Sequence, residues 1–320
     1  MKHILITGGC GYTGTLLTND LINEGNKVTV VDNQWFGNYL SPRKNLNIIK
    51  LDIRNYNKVP FKNVDVVIHL ANIANDPGVE LDPELSWDVN VLATQKLIEN
   101  SVKNKVKKFI FASSGSVYGI KKEKKVTEDL SLVPISTYNK TKMIAERIIQ
   151  SYEKEISIYC IRPATVCGYS PRMRLDVSVN MLTFQALKNK FITVFGGNQI
   201  RPNIHIQDLI NIYKFFVNSS SIKSGTYNAG FENFKIIDIA KKISKIIPSK
   251  IIIKKNKDVR SYRQNSDKLL LTGFKKQFSV LDAIYELKEM FEKNKIKETD
   301  RCYTVKWMKK INLKKKLPIN

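Results

Sequence analysis

Short unbroken apolar runs alternate with segments of helical period along the first half of the chain. The runs occupy residues 2–7, 27–31, 47–51, 64–70, 108–112 and 156–161. Helical spacing covers 13–24, then 84–103 (Val89, Leu92, Leu97 and Ile98 on one face), then 136–153 (Ile144, Ala145, Ile148 and Ile149). Strands alternating with helices predict βαβ units and a parallel sheet. Apolar runs without polar alternation predict a sheet covered on both faces. After about residue 163 the rhythm breaks. Loops rich in Pro, Gly and Asn at 168–171 and 196–203 separate shorter helices predicted at 177–188, 207–217, 236–247 and 279–293. The pattern predicts an α/β fold, a doubly wound parallel sheet with a smaller, partly interleaved C-terminal lobe. Residues 1–165 form the first unit, parts of 190–230 return to it, and 166–320 are mainly the second. The basic tail at 306–320 is expected to fray.

Composition adds limits. The chain has 320 residues, 42% hydrophobic and 26% charged, which suits a globular chain with a sizeable core and excludes a disordered or disulfide-stapled module. No apolar run approaches the ~18–20 residues of a membrane span. The N-terminal stretch runs straight into glycines and does not read as a signal peptide, so a cytoplasmic protein is expected. Four scattered cysteines without a C-x-x-C pair and three scattered histidines predict no metal site. The net charge is +24, and residues 241–320 hold 23 basic against 8 acidic side chains. Those lysines are dispersed, with few aromatics among them, so a solvated basic surface is favoured over a nucleic-acid groove. Such a surface also suits a small anionic substrate.

The chemistry begins at Thr7-Gly8-Gly9-Cys10-Gly11-Tyr12-Thr13-Gly14, between the first strand and the first helix. Gly8, Gly11 and Gly14 permit a tight turn and close backbone approach to a diphosphate. The helix start, with Tyr12 and Thr13, offers unpaired amides and the positive dipole end. Asp32 ends the second run, followed by Asn33. A carboxylate there accepts both ribose hydroxyls of an adenosine and repels a 2′-phosphate, which favours NAD over NADP. Asp52 and Ile53 follow the third run and flank the adenine side. His69-Leu70-Ala71-Asn72 ends the fourth run, at the edge where ligands bind. His69 itself reads as a satisfied buried histidine. Ser113-Ser114-Gly115-Ser116-Val117-Tyr118-Gly119 ends the fifth run, and Tyr138 and Lys142 follow on a helix, four residues apart and therefore on one face. An ammonium beside a phenol stabilises the phenolate and lowers its reference pKa of about 10. That makes Tyr138 a general base for a sugar or alcohol hydroxyl.

This ordered set resembles an extended short-chain dehydrogenase/reductase of the NAD-dependent epimerase/dehydratase family, over nearly the whole chain. The resemblance implies a Rossmann-type fold, NAD as cofactor and a nucleotide-diphosphate sugar as substrate. Gly119, five residues after Ser114, marks Ser114 as the catalytic serine beside Tyr138 and Lys142. Asn90, in Asp88-Val89-Asn90-Val91-Leu92, matches the family asparagine assigned to the cofactor. Leu70, Ala71 and Pro163 join the cofactor set. Arg201, in Arg201-Pro202-Asn203-Ile204-His205-Ile206-Gln207-Asp208, and Arg260, in Asp258-Val259-Arg260-Ser261-Tyr262, match two diphosphate ligands. Ser116, Thr165 and Asn180 are further substrate candidates, Thr165 standing where the family has asparagine. Arg172 and Arg174, in Tyr169-Ser170-Pro171-Arg172-Met173-Arg174-Leu175-Asp176, suit a phosphate or an acidic sugar, and that run resembles one in nucleotide-heptose dehydrogenases. Gly115 and Ser116 replace the Asp-Glu pair of the 4,6-dehydratases, which argues against dehydration. The resemblance therefore implies 4-epimerisation through a transient keto sugar. A 4-dehydrogenase or ketoreductase uses the same residues, and a non-catalytic RNA-binding relative is a distant alternative. A homodimer through the helices near 84–103 and 137–153 is implied.

Overall fold

A computed structural model describes residues 1–255 and 261–311. In chain order the strands are β1 (His3–Thr7), β2 (Lys27–Asp32), β3 (Leu46–Lys50), β4 (Val66–His69), β5 (Lys108–Ala112), β6 (Ser157–Pro163), β7 (Thr165–Cys167), β8 (Phe191–Phe195), β9 (Ile200–His205), β10 (Gly225–Ala229), β11 (Glu232–Lys235) and β12 (Lys250–Lys254). The α-helices are α1 (Tyr12–Asn23), α2 (Asp76–Val79), α3 (Pro83–Trp87), α4 (Ala93–Lys103), α5 (Thr137–Gln150), α6 (Ser178–Asn189), α7 (Ile206–Asn218), α8 (Ile236–Ile246), α9 (Asp267–Leu271), α10 (Val280–Glu292) and α11 (Thr304–Ile311).

Seven strands form one parallel sheet in the order β10-β6-β5-β4-β1-β2-β3. Successive residues of each strand feed two different cores. Ile4, Ile6, Val28, Val30, Val66, Ile68 and Ile110 face one layer, which holds α1 and α7. Leu5, Val31, Val67, Phe109, Phe111, Ile158 and Cys160 face the other, which holds α4 and α5. The unbroken apolar runs follow from this double coverage, each buried aliphatic side chain contributing about 1.5–3 kcal/mol. The chain order reverses between β1 and β4, which opens a crevice beyond their C-terminal ends.

The helix expected over 84–103 is divided. A wide π-turn, Asp88–Leu92, joins α3 to α4 and carries Asn90, whose side chain turns inward. It accepts from the Ile73 amide (2.8 Å) and donates to the Ile73 carbonyl (3.1 Å) and Thr141 Oγ1 (3.2 Å). The second lobe combines β11-β9-β7, the parallel pair β12-β8, and helices α6, α8 and α10 around Leu182, Ile192, Ile239 and Ile284. The chain then interleaves. Helix α7 packs on the large sheet through Tyr213 and Phe216, and β10, carrying Tyr227, is its edge strand, whereas β8 pairs with β12 in the second lobe. The tail departs from expectation at 306–311, which belongs to α11 rather than fraying. Met308 is buried in the first unit's core, and Trp307 Nε1 donates to the Trp35 carbonyl at 2.6 Å. An apolar residue at 308 among lysines is the amphipathic signal for that docking. Residues 312–320 lie outside the described residues.

His69 is the satisfied core histidine expected. Its two ring nitrogens bond to Thr7 Oγ1 (2.6 Å) and Thr94 Oγ1 (2.8 Å), and Phe111 stacks on the ring. Burial, reinforced by Lys142, pushes its pKa down to about 3. The unfolded chain, with an ordinary His near 6.5, binds a proton in the interval between the two values that the folded chain refuses. Stability is therefore complete above pH ~6.5 and is lost as pH falls towards 3, by roughly 1.4 kcal/mol per pH unit from this one group. Urea unfolding of the native chain and of His69→Gln at pH 7 and pH 5 measures it. The native midpoint should fall more on acidification, and equal falls would refute the assignment.

Candidate functional site

The bend after β1 is shaped by backbone contact. A Cβ on Gly8, whose φ is +78°, would lie 2.5 Å from the Ala71 amide nitrogen, and one on Gly14 would lie 2.4 Å from the Gly8 carbonyl oxygen. Both contacts are closer than side-chain carbons tolerate, so the bend runs hard against the end of β4. Gly11 caps α1 without a side-chain acceptor, and no acidic residue stands in the first turn. The amides of Tyr12, Thr13 and Gly14 therefore have the open, positive character of a diphosphate site.

Around this bend lies one cavity of about 870 Å³ that spans both lobes. Gly8, Gly11, Tyr12, Thr13, Gly14, Asp32, Asn33, Asp52, Ile53, Leu70, Ala71 and Pro163 all line it. Asp32 accepts the Cys10 amide (3.0 Å) and the Gln34 amide (2.7 Å). Burial pushes its carboxyl upward, while those two amides and the Arg172 guanidinium pull it back. Asn33 folds its own turn by accepting the Trp35 amide. Asp52 is partly spent on Arg54, 2.9 Å away. The glycine cradle, the free helix start and the Asp32 carboxylate fit an adenine dinucleotide with an unmodified ribose.

The reactive corner lies across the same cavity, where Ser114, Ser116, Tyr138 and Lys142 are brought together. Ser114 starts the 3-10 turn Gly115–Tyr118. Its hydroxyl bonds to that of Ser116 (2.8 Å), and Ser116 donates to Asn139 Oδ1 (2.7 Å). Ser136 caps α5, and α5 then delivers Tyr138 and Lys142 one turn apart. Burial pushes the Tyr138 phenol up to about 12, and the Ser114 hydroxyl and the Arg174 guanidinium pull the other way. Lys142 behaves differently from the sequence expectation. Its ammonium donates to the Ala112 carbonyl (2.7 Å), and burial pulls its own pKa down to about 7. The cation acting on the phenol in the free protein is thus Arg174.

From the second lobe, Thr165, Arg172, Arg174 and Arg201 line the cavity. Arg174 pairs with Asp176 (2.9 Å), which also accepts the Thr304 amide (2.8 Å). Two sequence assignments move. Asn90 does not reach the cavity, because Ile73 and Thr141 consume its amide. Asn180 is fully buried behind it, accepting the Gly168 amide (3.0 Å) and donating to the Tyr12 hydroxyl (3.0 Å) and the Arg174 carbonyl (2.9 Å). Both asparagines bond the walls of the cavity together rather than opening onto it. Arg260 lies outside the described residues. Lining residues without a motif to announce them include Trp35, Phe36, Asp76, Tyr213 and Tyr303, and Tyr262, at the end of the Arg260 motif, lines the cavity as well. Beneath the serines lies the buried pair Glu146–Arg162 (2.6 Å), which no motif announces. Its only sequence signal was an acidic residue on the inward face of α5.

The sequence model of the family described as "NAD dependent epimerase/dehydratase family" matches residues 4–230. A putative UDP-glucose 4-epimerase of Methanocaldococcus jannaschii is 33% identical over 215 residues, covering 64% of this chain and 70% of the relative. The uncharacterized UDP-glucose epimerase YtcB of Bacillus subtilis is 30% identical over 248 residues, 71% of this chain and 76% of its own. Among solved structures, the UDP-glucuronic acid 4-epimerase of Bacillus cereus, in complex with UDP-glucuronic acid and NAD, superposes with a TM-score of 0.76 at 27% identity, over 90% of this chain and 99% of the other. With a glycine bend, ribose carboxylate and Tyr/Lys helix meeting in one cavity, and with that matched span, this chain belongs to the NAD-dependent epimerase/dehydratase family.

Proposed function

We infer that the protein is an NAD-dependent epimerase that inverts the 4-hydroxyl of a nucleotide-linked sugar, and that the nucleotide is uridine diphosphate. The observation that carries this reading is the sharing of one cavity by Tyr138, Ser114 and Lys142 with the glycine bend and Asp32. Bound NAD supplies a hydride acceptor that is regenerated within each cycle. The residues of the chain do the rest. Gly8, Gly11, Thr13 and Gly14 hold the diphosphate, Asp32 the adenosine ribose, and Asp52, Ile53, Leu70 and Ala71 the adenine side. Tyr138 Oη takes the proton of the 4-hydroxyl as the C–H bond breaks and the ketone forms, and returns it after the sugar has turned. Ser114 hydrogen-bonds the same oxygen in both directions. Arg174 stabilises the phenolate electrostatically, and Lys142, one helical turn from Tyr138, would hold the nicotinamide ribose. Ser116 faces the substrate beside Ser114, and Thr165, Arg174 and Arg201 face it from the second lobe. Gly115 and Ser116 leave no acid–base pair next to Ser114 for water loss, which supports epimerisation over dehydration.

The relatives named for UDP-glucose and UDP-glucuronic acid support the uridine nucleotide. The reading includes a homodimer through α4 and α5, supported by Leu92 standing exposed at the head of α4; sedimentation at the mass of one chain refutes that part. It also includes a reducing, cytoplasmic setting, supported by four buried free thiols. Among the described residues no helix is long and apolar enough to cross a membrane.

The test is incubation with UDP-glucose, UDP-galactose and UDP-glucuronic acid in turn, followed by proton NMR of the sugar. Interconversion of C4 epimers without net change in nicotinamide absorbance is expected. Reduced cofactor accumulating in step with product would replace epimerisation by net dehydrogenation.

A further inference from the structure

Arg172 is a buried cation that makes no ion pair with any of the described residues. Its residue is 5% exposed, yet it lines the large cavity. Nε and Nη1 have no hydrogen-bond partner among the described residues. The guanidinium lies on the Phe36 ring, 4.1 Å from its centroid, and the nearby acid Asp176 is already paired with Arg174. A desolvated guanidinium with open donors costs several kcal/mol in the ligand-free protein, so the site is incomplete without an anion.

Its surroundings identify the anion. Two residues before it, Ser170 Oγ donates to the Tyr12 carbonyl (2.8 Å), and the Tyr12 hydroxyl donates to the Gly168 carbonyl (2.6 Å). These bonds pin the 168–176 arm of the second lobe to the first turn of α1. Phe36, under the guanidinium, lies on the loop that leaves Asp32, and Asp32 feels the charge of Arg172. Arg172 is thus bracketed by the two groups that hold the diphosphate and the adenosine ribose. The Asp32 carboxylate repels a 2′-phosphate, which leaves the diphosphate.

Resting on the NAD reading above, we propose that Arg172 is a cofactor ligand supplied by the second lobe, a guanidinium stacked on Phe36 that binds the dinucleotide diphosphate and so draws the two lobes together. This moves Arg172 from the substrate, where the sequence pattern had put it, to the cofactor. Planar stacking and paired N–H groups suit arginine for this and not lysine.

The experiment uses the full chain stripped of nucleotide, with Arg172→Met, which keeps the apolar stem over Phe36. Calorimetric titration with ADP-ribose, adenosine and UDP reads the diphosphate, the ribose and the sugar-nucleotide ends separately. ADP-ribose affinity should fall about 10–100-fold, as expected for lost charge-assisted bonds, with adenosine and UDP unchanged. The ligand-free variant should melt no lower than the native chain, because an uncompensated buried charge is gone. Unchanged ADP-ribose affinity, or a loss confined to UDP, overturns the proposal. A lower melting temperature without ligand also overturns it, since Arg172 would then be a structural cation. A native chain that binds UDP but not ADP-ribose overturns both this proposal and the NAD reading.

Discussion

Tyr138→Phe should lower kcat by about 10²–10⁴-fold, the usual worth of a general acid–base, while NAD affinity and melting temperature stay close to native. The phenyl ring fills the same space on α5, so packing is kept. What disappears is the phenolic oxygen assigned to accept the hydroxyl proton, together with its bond to Ser114. Burial holds the phenol near 12 in the free protein, so the phenolate forms only as positive charge gathers around it. Ser114 and Ser116 are hydroxyls bonded to one another and are far weaker bases than a phenolate. Because proton transfer belongs to the transition state and not to binding, kcat and kcat/KM should fall together with KM little changed. Initial rates of C4 inversion over a range of sugar-nucleotide concentrations check this. Native turnover in the variant would remove Tyr138 from the chemistry.

The second large effect is on stability. Glu146→Gln should cost about 3–5 kcal/mol, the penalty for stranding one member of a buried ion pair. Glu146 and Arg162 are 1% and 4% exposed. Arg162 gives Nε and Nη2 to the carboxylate and Nη1 to the Tyr118 hydroxyl (2.7 Å), which donates on to Asn228 Oδ1 (2.8 Å). Ser113 Oγ also donates to Glu146, and Gln264 ties the Arg162 carbonyl to Asn228. The network therefore joins α5, β6, β10 and the serine turn beneath the reactive corner. Removing the negative charge leaves a guanidinium buried with a neutral amide. Urea unfolding measures the loss, and Glu146→Leu combined with Arg162→Met should recover much of it, since a pair replaced by apolar groups no longer strands a charge. A native-like midpoint for Glu146→Gln alone would show that water reaches the pair.

Local spacing carried much of this protein into view. Glycines at 8, 11 and 14 and a carboxylate at 32 are consequences of backbone reach over a strand and one turn of helix. Tyr138 and Lys142 share a face because four residues make about one helical turn. The unbroken apolar runs reported a sheet covered twice. These are short-range rules, and the folded chain keeps them. Other features depend on partners that no period encodes. Asn90 and Asn180 match positions expected at the ligand, yet their amides turn to Ile73, Gly168 and Tyr12, because a buried amide must be satisfied by whatever the wall offers. Residues 306–311 look like a solvated basic end until Met308 and Trp307 find the first unit. Arg172 meets Phe36, and Glu146 meets Arg162, only where packing brings distant segments side by side. Periodicity tells which face of an element is buried. The identity of what lies against that face is settled by three-dimensional packing, and it is there that the cavity acquired the Arg172 guanidinium, whose Nε and Nη1 find no partner among the described residues.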